Sequence, residues 1–318
     1  MTLLTFGETP LRFVPADGGQ LHTAREMRAH ADGTESNAAA AAAAIGGEGV
    51  WVSKLPDTPL GRRVASELRG QGVNTAVTWT DERRQGLRFE EAGVKPREGT
   101  TLQDRSGCAM AAVEPEDLPM DKLRAADAVF TGASTLALSE KAADTATAVF
   151  EATEGTAITA AADLDRQPGL CSAADARAAL DRLSGGLDIL VASEADAAAV
   201  LDKNGGAREL LTAVATEYDL KVVAITRSDR NAIAMYDTPG TNVVHERATM
   251  GTETADPAGG HAAFVGAFLQ RLVDGADVAD ALSHGVAAGA LVRTVPGPYL
   301  TVDRAELDRV VAESVEEP

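Results

Sequence analysis

Seven short apolar runs, with helix-forming stretches between them, constrain the fold more than any other feature of the chain. They lie at Leu3–Phe6, Val50–Ser53, Ala128–Gly132, Ala157–Ala160, Ile189–Ala192, Val222–Thr226 and Ala232–Tyr236. Runs that are apolar on both faces are typical of strands buried inside a parallel sheet. The alternation therefore predicts an α/β protein with a doubly wound, mainly parallel sheet and helices on both faces.

Two polar, strand-like segments interrupt this alternation, at Leu11–Ala31 and Leu87–Cys108. They are either long surface loops or parts of a second, smaller sheet. A chain of 318 residues with 45% apolar content can bury a full core, and its length allows one domain or two. We expect one domain that spans residues 1–318.

The alanine run Ala38–Ala44 predicts a helix because alanine has the highest intrinsic helix propensity. Ser36 or Asn37 is suited to cap its start. Gly46 is suited to end it.

A glycine-rich turn precedes an apolar, helix-forming stretch near the C-terminal end. It reads Asp256-Pro257-Ala258-Gly259-Gly260-His261-Ala262-Ala263-Phe264. Backbone N–H groups at the start of a helix bind anions, and glycines let the backbone approach a phosphate closely. The turn indicates a phosphate site, although an ordinary loop before a buried helix would also have two glycines.

This turn resembles the signature D-T-x-G-A-G-D-[AS]-F of the PfkB/ribokinase family of carbohydrate kinases. Asp256, Gly259, Ala263 and Phe264 match the signature without gaps. Further matches run through the chain, and several are typical of the 2-keto-3-deoxygluconate kinases, a branch of the family: Thr5–Glu8, Asp32–Asn37, Trp51–Asp57, Leu60–Arg63, Asp104–Gly107 and Ala287–Ala290. The resemblance implies a ribokinase-like fold.

The resemblance also implies a catalytic carboxylate that this chain lacks. The family's base, which takes the proton from the sugar hydroxyl, falls on Ala262, and the glycine before it falls on His261. A placed base contributes roughly 10²–10⁴-fold to the rate, and alanine cannot accept a proton. His261 is either a drifted residue or a replacement base. Its backbone position is about 100° around the helix from that of the lost carboxylate, which argues against simple replacement.

On the sugar side, the family motifs are present but altered. Asp32 replaces the first glycine of G-G-x-x-x-N, and Arg88 replaces a Tyr that binds the keto-acid in relatives. The family's D-P-N-Y-R-P reads Asp163-Leu164-Asp165-Arg166-Gln167-Pro168, so its Asn becomes Asp and its Arg moves by one position. By resemblance, the substrate-binding residues are Gly33, Asn37, Arg88, Arg105, Asp163 and Gln167.

The nucleotide side is altered as well. The family's N-x-x-E reads Ser193-Glu194-Ala195-Asp196, and its phosphate loop T-x-G-x-x-G reads Thr226–Asn231, without either glycine. If the chain is active, the resemblance implies ATP and Mg²⁺. The cofactor-binding residues would be Asp196, Thr226, Ser228, Asp256, Gly259 and Gly260.

The family also gives the two interrupting segments a role. In relatives, such insertions form a small β-sheet lid over the sugar site, and the lid often pairs with a second subunit. We therefore expect lid segments at about residues 11–31 and 87–108, and a homodimer formed through the lid.

The composition limits which partners the protein can bind and in which compartment it is expected. The net charge is −19 with only six lysines, a balance that suggests a high-salt cytoplasm and argues against nucleic-acid binding. No apolar run is long enough to cross a membrane, and no secretory signal is evident. We expect a cytoplasmic protein in which Cys108 and Cys171 are buried thiols, not a disulfide. His22, His30, His245 and His284 have no metal-binding spacing, so we expect no metal bound by protein side chains alone.

Two classes of function remain. The first is an ATP-dependent kinase for a sugar or sugar acid such as 2-keto-3-deoxygluconate, weak or inactive because Ala262 occupies the position of the base. The second is a non-catalytic homologue that keeps the fold and binds a sugar, a nucleotide or an assembly partner.

Overall fold

The computed structural model describes residues 1–93, 95–167, 169–229, 231–238 and 241–316. Pro168 and Arg230, which belong to two of the motifs above, lie outside the described residues. Within the described part of the chain, no helix is both long and apolar enough to cross a membrane.

The strands are β1 (Thr2–Phe6), β2 (Leu11–Pro15), β3 (Met27–Ala31), β4 (Glu48–Pro56), β5 (Asn74–Thr80), β6 (Leu87–Glu91), β7 (Thr100–Asp104), β8 (Ala128–Gly132), β9 (Thr159–Asp163), β10 (Ile189–Ser193), β11 (Val222–Thr226), β12 (Ala232–Thr238) and β13 (Thr241–Arg247). The helices are α1 (Thr34–Ala44), α2 (Pro59–Gly70), α3 (Met120–Ala125), α4 (Ala133–Leu136), α5 (Glu140–Glu151), α6 (Ala173–Leu183), α7 (Glu194–Leu201), α8 (Ala207–Tyr218), α9 (Gly260–Val273), α10 (Val278–Leu291) and α11 (Arg304–Glu316).

Nine strands form the main sheet, in the order β13-β12-β11-β10-β9-β8-β1-β4-β5. The strands from β11 to β5 are parallel, and β12 and β13 extend the sheet as an antiparallel hairpin at one edge. The chain proceeds from β1 to both sides of the sheet. In such sheets ligands bind outside the carboxyl ends of the strands, near the point where the strand order reverses.

Helices cover both faces of this sheet, as the alternation predicts. Leu4 and Val129 point to the side of α5, α6 and α8. Their strand neighbours Leu3 and Phe130 point to the opposite side, where α1, α9 and α10 pack. Period-two alternation of apolar side chains on buried strands thus builds two cores, one on each face.

The alanine run explains how α1 fits between the sheet and α9. A Cβ on Gly266 of α9 would overlap the carbonyl oxygen of Ala38, and a Cβ on Gly49 of β4 would overlap that of Ala39. Small side chains on α1, facing glycines on both neighbours, let the three backbones approach closely. The close packing fixes the position of α1, which begins within the motif Asp32–Asn37.

The prediction that Ser36 or Asn37 caps this helix is wrong, because α1 begins at Thr34 and Gly33 is the N-cap. Ser36 donates its hydroxyl hydrogen to the Gly33 carbonyl oxygen, and Asn37 donates its amide to Asp32, so both side chains are committed inside the first turns. Gly46 ends the helix with a φ of 90°, as expected.

The two polar segments form one separate sheet of four strands, in the order β3-β2-β6-β7. β2 and β6 pair in parallel at its centre, and β3 and β7 add antiparallel strands at the edges. The predicted lid sheet is therefore confirmed. Residues 16–26 and 105–108 connect or follow the strands instead of belonging to them.

The strand predictions are confirmed apart from three local differences. The run Ala157–Ala160 is displaced, because β9 begins at Thr159, where it pairs with Ala128 of β8. β5 and β13 were not anticipated. Both are edge strands, whose partly exposed side chains lack the continuous apolar run of a buried strand.

Candidate active site

A cavity of about 420 Å³ opens at the carboxyl ends of the strands, between the lid sheet and the start of α9. Its walls come from the turn between β3 and α1, from the first turn of α1, from lid strands β6 and β7, from the loop after β9, and from the glycine-rich turn. The lining residues are Asp32, Thr34, Asn37, Arg88, Glu90, Thr101, Gln103, Asp165, Arg166, Gln167, Pro257, Ala258, Gly259, Gly260, His261, Ala262 and Arg293.

The lid contributes alternate residues of two paired strands. Arg88 and Glu90 of β6, together with Thr101 and Gln103 of β7, line the cavity. Arg88 pairs with Gln103, and Glu90 pairs with Thr101, so all four lie on one face of the lid. The polar side chains of these segments therefore line the cavity, while the intervening side chains face away from it.

A charge network joins the lid to the sugar-side motif. Arg88 donates to the Asp32 carboxylate over 2.5 Å, and Asn37 donates to the other oxygen of Asp32 over 2.7 Å. Arg12 of β2 bonds to Glu90 over 2.7 Å and lies 3.5 Å from Asp32. The carboxylate that replaces a glycine in this motif is thus compensated by two guanidinium groups from the lid.

Several buried polar atoms beside the cavity have no hydrogen-bond partner. On residues that line the cavity they are Asn37 Oδ1, Arg88 Nε and Gln103 Oε1, and Arg12 Nη1 is a further one behind this wall. Burying a donor or an acceptor without a partner costs roughly 1–3 kcal/mol, so such atoms indicate where a ligand or water binds. Both donors and acceptors are available at this end, which suits hydroxyl groups.

Asp165 lies on the opposite wall, in the loop that follows β9. One of its oxygens accepts hydrogen bonds from the Thr34 hydroxyl (2.7 Å), the Ser134 hydroxyl (3.0 Å) and the Gln167 amide (2.9 Å). These donors come from α1, α4 and the loop itself. They fix the carboxylate in place without supplying a positive charge.

Arg105 and Gly33 support the site from behind and do not line the cavity. Arg105 is buried in an ion pair with Glu8, with 2.5 Å between Nε and Oε2, and it also donates to Gln167 over 2.7 Å. A Cβ on Gly33 would overlap the backbone oxygen of Glu8. Both predicted substrate-binding residues therefore position neighbours that do face the cavity.

Glu35 is a fully buried carboxyl group in the first turn of α1. Its Oε1 accepts from the Thr135 hydroxyl (2.6 Å) and from the Gly132 N–H (3.0 Å). Burial raises the pKa of Glu35 to about 8, a shift that the Thr135 hydrogen bond opposes and the nearby Asp165 charge increases. Glu35 is thus mainly protonated at neutral pH and links α1 to the end of β8.

The glycine-rich turn brings a guanidinium group to the start of α9. Gly259 is the N-cap and has a φ of 73°, and a Cβ there would overlap the Pro298 carbonyl oxygen. A Cβ on Gly260 would overlap the Arg293 guanidinium, which also donates to the Gly289 carbonyl oxygen. The N–H groups of the first helical turn have no partner within the helix, so backbone dipoles and Arg293 together favour an anion here.

His261 contacts a buried carboxylate beside this turn. Its Nε2 lies 2.6 Å from Asp163 Oδ2, and its Nδ1 lies 3.4 Å from the Thr226 hydroxyl. Burial alone would lower the pKa of His261, but the charge and hydrogen bond of Asp163, together with Asp165 and Asp196, raise it to about 9. An imidazolium cannot accept a proton, which disfavours the hypothesis that His261 is the base.

Asp163 and Asp196 both lie one layer beneath the cavity surface. Asp163 is completely buried, and burial raises its pKa against the opposing effect of His261. Asp196 accepts from Arg166 over 3.1 Å and from the Ser193 hydroxyl over 2.7 Å. Each carboxylate thus holds a cation, His261 or Arg166, at the cavity wall.

Two predicted cofactor residues lie farther from the cavity. Ser228 is exposed in the turn after β11. Asp256 shapes the glycine-rich turn, because it accepts from the N–H groups of Ala258 (3.0 Å) and Gly297 (3.2 Å). It also lies 3.8 Å from Arg12 of the lid.

The structure places six of the thirteen predicted site residues on the wall of one cavity. Asn37, Arg88, Gln167, Gly259, Gly260 and His261 line the cavity, as does Ala262 at the position of the lost base. Sequence reasoning missed a second group: Thr34, Glu90, Thr101, Gln103 and Arg293. The period-two pattern of the lid strands could have revealed Glu90, Thr101 and Gln103. Thr34 lies within the motif Asp32–Asn37, but nothing in the local sequence marks Arg293.

Known proteins share this architecture. A 2-dehydro-3-deoxygalactonokinase of Haloferax volcanii is 40% identical over 309 residues, which cover 97% of this chain and 96% of that protein. The crystal structure of 2-dehydro-3-deoxygluconokinase from Thermotoga maritima superposes with a TM-score of 0.86 at 25% identity, over 98% of this chain and 99% of that one. A ribokinase II from E. coli, solved in complex with ATP and Mg²⁺, is described as putative and gives a TM-score of 0.84 at 18% identity, over 98% and 99% of the two chains.

The model of the pfkB family carbohydrate kinases matches residues 2–305, from β1 into α11. The family signature, the lid and the cavity between them all lie inside this match. The expectation drawn from the motifs is confirmed: the chain belongs to the pfkB family of carbohydrate kinases.

Proposed function

We propose that this protein uses ATP to phosphorylate a hydroxyl group of a 2-keto-3-deoxy sugar acid of the galactonate or gluconate type. One observation carries the proposal: a single cavity joins the sugar-side residues of α1 and the lid to the glycine-rich turn of α9. The names of the relatives from Haloferax volcanii and Thermotoga maritima support this class of substrate.

The lid end of the cavity suits a sugar acid. Asn37 Oδ1 and Gln103 Oε1 are unpartnered acceptors for hydroxyl groups, while Arg88 Nε is an unpartnered N–H donor for a carboxylate or a keto oxygen. Asp32 and Glu90 offset most of the charge of the two guanidinium groups of the lid. Recognition at this end would therefore depend on directed hydrogen bonds more than on net charge.

The α9 end suits the phosphates of ATP. Gly259 and Gly260 let a ligand approach the backbone of the turn closely. Cationic groups of Arg293, Arg166 and His261 line the same end of the cavity, the last two paired with Asp196 and Asp163. Backbone N–H groups and cations at such a turn stabilise the charge that develops on a transferred phosphoryl group. These residues would bind the triphosphate and orient it toward the sugar.

Mg²⁺ would neutralise charge on the phosphates when it is bound. Mg²⁺ is usually held by one or two carboxylates together with phosphate oxygens and water, so a preformed cage of protein ligands is not required. Asp196 fits this role by its place beside the cavity, although both of its oxygens already accept hydrogen bonds from Arg166 and Ser193.

We further propose that turnover is slow. Ala262 lines the cavity at the position where the family places its base, and the methyl group supplies no acceptor. Positioning and charge stabilisation dominate phosphoryl transfer, so the absence of a carboxylate at position 262 would lower the rate without abolishing it.

We also propose that the protein is a homodimer formed through the lid. Leu102 of β7 and Met27 of β3 lie on the two edge strands of the lid and are 54% and 37% exposed. Exposed apolar side chains on an unpaired strand edge favour association with another chain.

The test is a phosphorylation assay with purified protein, ATP and Mg²⁺ at low and at high KCl concentration. The acceptors would be 2-keto-3-deoxygalactonate, 2-keto-3-deoxygluconate, the corresponding saturated acids and neutral hexoses, and the readouts would be ADP release and ³¹P NMR of the product. We expect a phosphorylated product with a 2-keto-3-deoxy acid and a turnover below the ordinary range of about 1–100 s⁻¹ for kinases.

Asn37→Ala should raise the KM for the sugar acid, whereas Asn74→Ala, at an exposed position on the edge strand β5, serves as the matched control. Phosphorylation of neutral hexoses alone would overturn the substrate class. Tight ATP binding by titration calorimetry without any phosphorylated product would instead favour the non-catalytic, ligand-binding homologue.

A further inference from the structure

Ala262 leaves open which group takes the proton of the sugar hydroxyl. The carboxylates that line the cavity are Asp32, Glu90 and Asp165. Asp32 is committed to Arg88 and Arg12, and Glu90 is committed to Arg12. Among the described residues, no cationic side chain lies within 4.0 Å of the Asp165 carboxylate, whose bonding partners are two hydroxyls and an amide.

Asp165 is also tied to the position of the lost base through one buried side chain. Asp163 Oδ2 contacts His261 Nε2, and Asp163 Oδ1 accepts the backbone N–H of Asp165 over 3.1 Å. His261 directly precedes Ala262 in α9. The same carboxylate therefore fixes the start of α9 and the backbone from which Asp165 projects.

Two observations remove the competing candidates. His261 is held as a cation by Asp163, so it lacks a free acceptor at neutral pH. Asp163 is wholly buried behind the imidazole and does not reach the cavity. Of the three carboxylates that line the cavity, Asp165 alone has no cationic partner within the described part of the chain.

We propose that Asp165 is the residue that accepts the proton during phosphoryl transfer. The substrate hydroxyl oxygen forms a bond to the γ-phosphorus as the bond to the bridging oxygen breaks, and ADP leaves with that electron pair. The hydroxyl proton passes to a carboxylate oxygen of Asp165 and afterwards to water. Thr34, Ser134 and Gln167 orient the carboxylate and leave its charge uncompensated.

This inference rests on the proposed kinase activity, and it explains a feature specific to this chain. The family has an Asn at this place in its D-P-N-Y-R-P motif, where an Asp stands here. Relative to the family motifs, a carboxylate is thus absent at 262 and present at 165, and both positions line the same cavity. Asp163 is paired with His261 and Glu35 is mainly protonated at neutral pH, so Asp165 is the carboxylate of this group whose charge is left uncompensated among the described residues.

The test is a double-mutant cycle with Asp165→Asn, Ala262→Asp and the combined variant. Asn keeps an acceptor oxygen for Thr34 and Ser134, so the fold and the KM for ATP should change little, while kcat should fall about 10²-fold. Asp144→Asn, on the exposed surface of α5, is the matched control and should be neutral. Thermal melts and ATP titration of each variant check folding and nucleotide binding.

If Asp165 is the base, Ala262→Asp should raise kcat much more in the Asp165→Asn background than in the wild-type background, because it restores an acceptor that is otherwise absent. Equal factors in both backgrounds, or an Asp165→Asn variant as active as the Asp144→Asn control, would overturn the assignment while leaving the kinase activity standing. Absence of turnover in the wild-type protein would overturn the proposed function itself, and the assignment with it.

Discussion

His261 Nε2 lies 2.6 Å from the buried Asp163 Oδ2, so the residue that replaces a family glycine forms an ion pair beside the glycine-rich turn. About 30% of the His261 side chain remains exposed, toward the cavity. By resemblance, His261 was either a drifted residue or a replacement base. The structure instead directs the imidazole to Asp163 and places a positive charge beside the turn.

This ion pair predicts a pH dependence of stability. The pKa of His261 rises from 6.5 to about 9 on folding, so its stabilising effect is complete below pH 6.5 and is lost as the pH rises through 9. His261→Gln keeps a donor for Asp163 but cannot be charged. The difference in free energy of unfolding between wild type and His261→Gln, measured by urea denaturation at fixed KCl, should shrink over this interval. A gap that widens with pH would contradict the ion pair.

A second pH effect is expected from Glu35. Its pKa rises from 4.5 to about 8 on folding, so its contribution to stability falls as the pH rises between these values. Glu35→Gln keeps the shape and the acceptor for Thr135 but has no proton to lose. The variant should therefore become more stable relative to wild type from pH 4.5 to pH 8, with no further change above. Urea denaturation across that range measures it, and parallel curves for the two proteins would show that Glu35 is ionised in the fold.

Arg293 should contribute to nucleotide binding. Arg293→Gln removes a charge beside Gly260, and we expect ATP affinity to fall at least about 10-fold, as charged hydrogen bonds contribute about 1.5–3 kcal/mol. Arg309→Gln, on the exposed side of α11, is the control for a change in net charge. Titration calorimetry with ATP and Mg²⁺ distinguishes the two. Equal affinities would place Arg293 outside the phosphate site.

The lid edge provides a test of assembly. Leu102→Asp should convert a homodimer into a monomer, because it puts a charge on an exposed apolar edge strand. Leu60, which is 45% exposed at the start of α2, gives the matched variant Leu60→Asp. Light scattering after size-exclusion chromatography measures the mass. Dimers that persist in both variants would mean that another surface associates.

Two glycine substitutions should have opposite effects on stability, because one glycine lies in the contact between α1 and α9 and the other faces open space. Gly266→Ala should destabilise the protein by several kcal/mol, because the new methyl group meets the backbone of Ala38 and neither helix can yield easily. Gly70→Ala at the end of α2 meets open space and should stabilise by about 0.4–1 kcal/mol. Thermal melts of the two variants provide the comparison. Similar melting temperatures would mean that α1 and α9 are loosely packed.

The sequence predicted the architecture well because its signals were local and repeated. Buried strands of the main sheet carry continuous apolar runs, and the lid segments stand out by their polarity. The edge strands β5 and β13 were not predicted. Their side chains are partly exposed, so polar and apolar residues are mixed and no continuous apolar run marks them. The helix cap was misplaced because Ser36 and Asn37 have the right side chains but bind Gly33 and Asp32.

The site was less predictable, since its chemistry depends on distant partners. Motifs located His261 and Asp163, but not their contact across 98 positions of the chain. Arg293 sits in no motif and reaches Gly260 only because α9 and α10 pack together. The charge compensation of Asp32 by Arg12 and Arg88 likewise requires the lid to fold over α1.

The close contact between Gly266 and Ala38 also bears on how the two substrates are aligned. α1 holds Thr34 and Asn37 at one end of the cavity, and α9 follows the glycine-rich turn at the other end. The distance between these two ends is therefore fixed by a tightly packed helix crossing. The two halves of the site then behave as one rigid frame. A movement of the lid sheet against this frame would change access to the Asn37 end of the cavity and not the distance between that end and the glycine-rich turn.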